Sequence, residues 1–287
     1  MSEAARTWRD AVAAVAARVG DALAARWLCE TASGADNADD FRSMLDEAVN
    51  SRAAAHLEAM VSRVEAGEPL QYALGRWAFR RLDLMVDRRV LIPRPETELI
   101  VDRVLAHLRT LGRAAVVVDL GTGSGAIGLS VLHETPPGSV EVWMTDESED
   151  ALDVARANAA GTGRAATGAH FAHGSWFAAL PGELRGRVDV VVSNPPYVAD
   201  DDPELEDTVR RWEPEGALLA GPDGLDDLRE IASSVSEWLA PGGVVVVETG
   251  HTQAAGVARL LQAGGLTGAE VIADLAGRDR FVAARRG

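Results

Sequence analysis

A chain of 287 residues is too long for a peptide module and short for three domains, so one large or two modest domains are expected. With 47% hydrophobic and 25% charged residues it can bury a sizeable core, which excludes disorder over most of its length. All 28 basic residues are arginine, set against 44 acidic ones; the formal charge is −16, and chemistry that needs a lysine amine is excluded.

The charge is unevenly placed. Through residue 85 there are 13 acidic and 10 basic residues, a balance of −3, while the remainder carries 31 and 18, or −13. Such a surface repels phosphate backbones, so nucleic acid is disfavoured and a cationic protein or a small molecule fits better. Apolar runs such as residues 244–247 are strand-sized, and no membrane span is expected. Met1, Ser2 and Glu3 do not open a basic stretch followed by an apolar core, so no signal peptide is expected and the cytoplasm is the default compartment. The one cysteine, Cys29, cannot form an internal disulfide or a multi-thiolate metal site.

In chain order, apolar residues recur at helical spacing over residues 8–28 and again over 41–64, with a loop at 31–37 between them. Gly67-Glu-Pro69 closes this block. Trp77, Phe79, Leu82, Leu84 and Val86 then alternate around Arg80-Arg81, predicting a β-hairpin and a domain junction. From residue 93 strands and helices alternate. Strands are expected at 115–120, 140–145, 169–172, 188–193 and 244–248, with a closing pair at 271–273 and 280–284. Helices are expected at 125–133, 149–160, 224–239 and 253–263. Continuous β-branched runs separated by helices predict an α/β fold, a parallel sheet covered on both faces.

Two turns carry the chemistry. The first strand runs through Asp119 and Leu120 into Gly121-Thr122-Gly123-Ser124-Gly125, and the following helix presents free N–H groups there. By itself this turn fits NAD, S-adenosylmethionine, or no ligand at all. Asp146 ends the second strand about 20 residues on, where an acid can accept both ribose hydroxyls; it can equally cap the helix after Ser148.

The fourth strand decides between them, because Ser193 leads straight into Asn194-Pro195-Pro196-Tyr197 at the strand end where open sheets bind ligands. A planar NH2 group is a poor nucleophile because its lone pair is delocalised. The Asn194 side-chain oxygen and the Pro195 carbonyl can accept its two hydrogens. The two prolines fix the backbone, and Tyr197 offers an aromatic face for stacking. The nitrogen is thereby aimed at an electrophilic methyl sulfonium. A nicotinamide dehydrogenase would not need this tetrapeptide.

Together these residues resemble the protein-(glutamine-N5) methyltransferases that modify peptide chain release factors, the PrmC/HemK family. The tetrapeptide is shared with DNA and RNA amino-methyltransferases, so the resemblance also rests on other segments. These are Gly67-Glu-Pro-Leu-Gln-Tyr72-Ala-Leu-Gly75, Leu91-Ile-Pro-Arg-Pro-Glu-Thr-Glu98, Glu213-Pro214, Gly221-Pro-Asp-Gly-Leu225, Glu248-Thr-Gly250 and residues 274–280. It covers about residues 65–287; the first sixty residues share only helical character.

The resemblance implies a helical N-terminal substrate-recognition domain over 1–75, a hairpin linker over 76–92, and a seven-stranded Rossmann-like methyltransferase domain over 93–287. It implies S-adenosylmethionine held by Gly121, Thr122, Gly123, Ser124, Gly125, Asp146, Trp176 and Asn194. Asn194, Pro195, Pro196 and Tyr197 would receive the substrate, with Asn194, Pro195 and Tyr197 catalytic. The substrate would be the glutamine of the Gly-Gly-Gln loop in class I release factors, modified by a monomeric enzyme without a metal. The alternatives are a DNA or RNA amino-methyltransferase and an idle binding module on the same fold. Ser175 stands where the family usually has Asp, removing a charge beside Trp176. Arg94, Glu96 and Thr97 either roof the pocket or open a helix led by Pro95. His133 and His251 lack partners at metal-ligand spacing, and Cys29 is expected in the core. The acidic run 200–207 is read as a solvated face that a basic protein surface can dock on.

Overall fold

The computed structural model describes residues 6–287. The signal-peptide expectation rests on Met1, Ser2 and Glu3, which lie outside the described residues. The chain divides into two compact units, one ending at Arg76 and the other beginning at Trp77.

The first unit holds helices α1 (Trp8–Val19), α2 (Ala22–Ser33), α3 (Ala38–Met44), α4 (Ser51–Glu65) and α5 (Leu70–Leu74). The single helix expected over 8–28 is two. Gly20 ends α1 in the left-handed region at φ 74°, and the Asp21 carboxylate restarts the chain by accepting the Leu23 and Ala24 N–H groups. The helix expected over 41–64 is likewise broken, and Asn50 caps α4 by accepting the Ala53 N–H at 2.9 Å. Apolar spacing runs through both breaks because the helices share one core of Trp8, Val15, Leu28, Phe41, Leu57 and Val61. Cys29 is buried in that core, as expected.

Next comes a hairpin, β1 (Arg76–Phe79) and β2 (Leu82–Met85). Helix α6 (Glu98–Leu111) follows a short turn at Pro95–Thr97. The sheet and its helices are β3 (Ala115–Leu120), α7 (Ala126–Glu134), β4 (Val140–Asp146), α8 (Glu149–Thr162), β5 (Ala169–His173) and β6 (Val188–Ser193). They continue with α9 (Asp207–Trp212), α10 (Asp226–Trp238), β7 (Leu239–Glu248), α11 (Ala254–Ala263), β8 (Thr267–Ala273) and β9 (Asp279–Arg285). The strand order is β5-β4-β3-β6-β7-β9-β8. The first five strands are parallel, but β9 pairs antiparallel with both β7 and β8. The expectation of a parallel sheet is corrected there: the short turn joining β8 to β9 cannot hold a crossover helix, so only antiparallel pairing is open to it.

Alternation along the strands covers both faces. Val190 and Val192 join Ile100, Val104 and Leu129 in one apolar cluster. Val191, between them, joins Leu228, Ile231 and Val257 in the other. No helix among the described residues is long and apolar enough to cross a membrane.

Candidate active site

The order of the sheet reverses between β3 and β6, so their carboxyl ends lie side by side. Leu120 pairs with Ser193, whose hydroxyl donates to the Leu120 carbonyl at 2.7 Å. This bond sets the glycine turn beside the Asn-Pro-Pro-Tyr loop at the switch point, where open sheets leave a crevice.

A cavity of about 450 Å³ opens there, lined by Gly121, Thr122, Gly123 and Ser124 along one wall. Gly121 and Gly123 take φ values of 65° and 55°, a region that other residues enter at a cost. Asp146, at the end of β4, also lines the cavity. Its Oδ2 accepts the Gly123 N–H and its Oδ1 the Ser148 N–H, both at 2.9 Å, while the Ser148 hydroxyl caps α8. Burial pushes its carboxyl above the usual range, and the two backbone donors pull the other way.

Gly125 stands behind the wall rather than in it. A Cβ there would come within 2.9 Å of a Leu129 methyl carbon, so this glycine serves close packing of α7. Asp119 is fully buried and shapes the turn from below, accepting from Thr122 Oγ1 at 2.6 Å and from the Gly128 N–H at 3.0 Å; burial pushes its carboxyl up to about 7. Asn158 joins the turn to the hairpin, donating to the Ser124 and Met85 carbonyls and accepting the Met85 N–H.

Trp176 closes the far side with Gly174 and Ser175. Its φ of 41° is unusual for a bulky residue. A Cβ on Gly121 would meet its ring at 3.4 Å, so the ring lies over the turn. Asp227, in the first turn of α10, lines the same cavity and bonds to Trp176. Burial, then repulsion from Glu147, Glu230 and Asp226, pushes the Asp227 carboxyl up to about 6.

The tetrapeptide turns its residues to different sides. Pro196 lines the first cavity, whereas Pro195 and Tyr197 line a second of about 470 Å³; Asn194 belongs to both. Asn194 Nδ2 lies 3.4 Å from Thr97 Oγ1, which donates to Glu248 Oε2 at 2.7 Å; Tyr197 Oη donates to Glu248 Oε1 at 3.2 Å. Burial pushes Glu248 up to about 7, opposed by Thr97, Arg280 and Tyr197. Burial and the Glu248 carboxylate together hold the Tyr197 phenol well above its ordinary range.

Of the three proposed roof residues, Thr97 lines the first cavity and Arg94 the second. Glu96 lines neither and pairs with Arg278 at 3.4 Å. Glu213 pins this segment, accepting from Arg94 at 2.5 Å and from the Ile92 N–H at 3.1 Å. The same residues also form the proline-led helix start, so the two readings of the segment coexist. His133 and His251 are exposed. Among the described residues no group of three or more His, Cys, Asp or Glu side chains is placed to hold a metal ion. The run 200–207 is mostly exposed, and Glu204 and Glu206 reach the rim of the second cavity.

Reasoning from the sequence missed Asp119 as the support of the turn, Asn158 and Asp227. Only Asp119 had a local signal, three residues before Thr122 at the end of an apolar strand.

The first cavity fits a nucleoside-bearing cation. Its size suits a cofactor, its turn offers backbone donors, and Asp146 and Asp227 supply negative charge.

Comparison with known proteins agrees over both units. The family model PrmC N-terminal domain matches residues 6–75, where the sequence had suggested helical character alone. The model Methyltransferase small domain matches residues 97–211. The release factor glutamine methyltransferase of Xylella fastidiosa (strain 9a5c) is 42% identical over 228 residues, covering 79% of this chain and 80% of that protein. The protein of the same name from Burkholderia pseudomallei (strain K96243) is 41% identical over 263 residues, covering 91% and 90%. A methyltransferase crystal structure from Pyrococcus furiosus shares the fold, with a TM-score of 0.51 at 17% identity over 79% of this chain and 97% of that one. With both halves matched and identity above 40% over most of its length, the chain belongs to the release factor glutamine methyltransferase family.

Proposed function

We propose that the protein methylates the side-chain amide nitrogen of a glutamine, that of the Gly-Gly-Gln loop of class I release factors. S-adenosylmethionine would occupy the first cavity, contributing an electrophilic methyl group on a sulfonium. The observation that carries this reading is the place of Asn194 in the walls of both cavities, where a group in one can meet a group in the other.

The residues then divide the work. Gly121 to Ser124 and Asp146 hold the nucleoside end, and Trp176 covers it. Pro195 and Tyr197 line the chamber for the glutamine side chain. The Asn194 side-chain oxygen and the Pro195 carbonyl accept the two amide hydrogens, so the nitrogen keeps a fixed distance and direction to the methyl carbon. Transfer would form the N–C bond as the sulfonium S–CH3 bond breaks and leaves a neutral thioether. The one N–H proton lost would pass to water, while Asn194 and Pro195 hold the nitrogen in line. Orientation carries the rate in such a site. The helical unit over residues 6–76 would choose the protein partner, and the acidic rim at Glu204 and Glu206 would favour a basic one.

Transfer of labelled methyl to purified release factors, to unrelated Gly-Gly-Gln peptides and to duplex DNA or RNA tests the reading. Label is expected on the release factor and absent from nucleic acid at physiological salt. Labelled nucleic acid with inert protein would overturn it.

A further inference from the structure

Glu248 ends β7 beside the reacting loop and is 2% exposed, yet the chemistry above gives it no task. Both its oxygens are engaged by hydroxyls. Thr97 donates to Oε2 at 2.7 Å and Tyr197 to Oε1 at 3.2 Å. A threonine hydroxyl has one hydrogen. With that hydrogen on Glu248, Thr97 Oγ1 can meet Asn194, 3.4 Å away, only as an acceptor. The NH2 end of the Asn194 amide must therefore face Thr97, and the carbonyl end turns away from it. The two ends of an amide have nearly the same shape, so packing alone does not choose between them; hydrogen bonding does.

We propose that Glu248, acting through Thr97, is a positioning residue that fixes which end of the Asn194 amide meets the substrate. This role rests on the amide-methylation reading, which needs Asn194 to present its oxygen. The reverse orientation would set two acceptor oxygens together with no hydrogen between them. Ionised, Glu248 accepts from both hydroxyls, and an ionised acceptor makes the stronger bonds. The Arg280 cation on β9 favours that charge, and Glu96 in the turn before α6 opposes it. On the same carboxylate Tyr197 directs its hydroxyl into the protein, leaving the ring for contact with the substrate.

Two measurements on the full chain test this. The first needs no substrate: hydrogen exchange at the Asn194 side-chain NH2, assigned by its loss in Asn194→Ala. Exchange should be slow in the wild type and in Thr97→Ser, and about tenfold faster in Thr97→Val. The second is the single-turnover rate with cofactor and release factor saturating. Thr97→Val should slow transfer about tenfold, and Thr97→Ser should restore it to within about threefold. In the Asn194→Ala background Thr97→Val should cost no more than about twofold, because its effect passes through the residue already removed. Glu248→Met frees the Thr97 hydrogen to hold the amide the wrong way round. It should slow transfer like Thr97→Val, with the double variant no slower than Glu248→Met alone.

Unchanged exchange in Thr97→Val overturns the role whatever the substrate is. Effects of Thr97→Val and Asn194→Ala that multiply overturn it too, because they would show a structural contribution independent of the amide.

Discussion

The Gly123 N–H donates to Asp146 Oδ2 at 2.9 Å, so the turn after one strand is anchored to the acid that ends the next. The other oxygen of Asp146 holds the Ser148 N–H. Asp146→Ala therefore loosens the turn and, on the proposed reading, also removes an acceptor for the cofactor ribose. S-adenosylmethionine binding measured by calorimetry should weaken by about 1.5–3 kcal/mol, the scale of hydrogen bonds to a charged group. Asp146→Asn should also weaken it, since one carbonyl oxygen cannot accept both backbone donors. Unchanged affinity in both variants would reduce Asp146 to an anchor for α8.

On the proposed reading, Asn194→Ala leaves the Pro195 carbonyl as the acceptor for one substrate hydrogen and strands the other. Loss of a preorganised contact at a reacting centre costs roughly 10²–10³ in rate, and the single-turnover rate should fall by that much. Asn194→Asp keeps an acceptor oxygen and should retain more activity than alanine. A wild-type rate in Asn194→Ala would make the loop a structural feature only.

Arg80 sits at the tip of the hairpin with φ 52°, and its guanidinium pairs with Glu134 at 2.5 Å and with Asp102 at 2.8 Å. Both Arg80 and Glu134 side chains are nearly buried, 12% and 11% exposed, so losing the arginine strips Glu134 of its ion-pair partner. Arg80→Ala should destabilise the fold by about 3 kcal/mol in urea unfolding at pH 7. The arginine holds the Glu134 carboxyl below its ordinary range. Its contribution is thus complete above the ordinary carboxylate pKa of about 4.3 and is lost as pH falls through the lower folded value. The stability gap between wild type and Glu134→Gln should close as pH drops from 5 to 3, and a gap that widens would contradict the pairing.

Asp227 has the opposite sign. Burial and neighbouring acids raise its carboxyl to about 6, so the ionised form opposes folding at neutral pH. Asp227→Asn should raise the melting temperature at pH 7.5, with no gain left below about pH 4, where the aspartate is protonated folded and unfolded alike. If the carboxylate helps hold a cationic cofactor, the same variant should bind S-adenosylmethionine more weakly at pH 7.5. A stabler protein with poorer binding is the pattern expected of a site under electrostatic strain.

The elements most legible in the sequence were those whose signal is local. The runs at 115–120 and 188–193 read as buried strands, and the turns at their ends are contiguous motifs, so Gly121, Gly123 and Asn194 were legible directly. Asp146 followed from its place at the end of the next strand, and Trp176 only from the family resemblance. The break at Gly20 was missed because one apolar stripe serves both α1 and α2 against one core. The antiparallel end of the sheet was hidden because Val282 and Ala284 on β9 are buried as deeply as residues of a parallel strand. Asp227 was invisible for a different reason. Among several acids at the start of α10 nothing local marks it, and only the folding of Trp176 toward that helix gives it a partner. Pro195 and Pro196, identical neighbours in the sequence, were separated only by the backbone that turns them to different cavities.

The wall that Asn194 shares between the two cavities also sets terms for inhibitors. A nucleoside joined to a glutamine-like amide by a linker of one or two atoms could pass that side chain and occupy both chambers at once. Docking one half would present the other at an effective concentration on the order of millimolar, so modest fragments would combine into a tight ligand. Such a compound would draw its selectivity from the amide half, because a nucleoside half alone would fit any enzyme that uses the same cofactor.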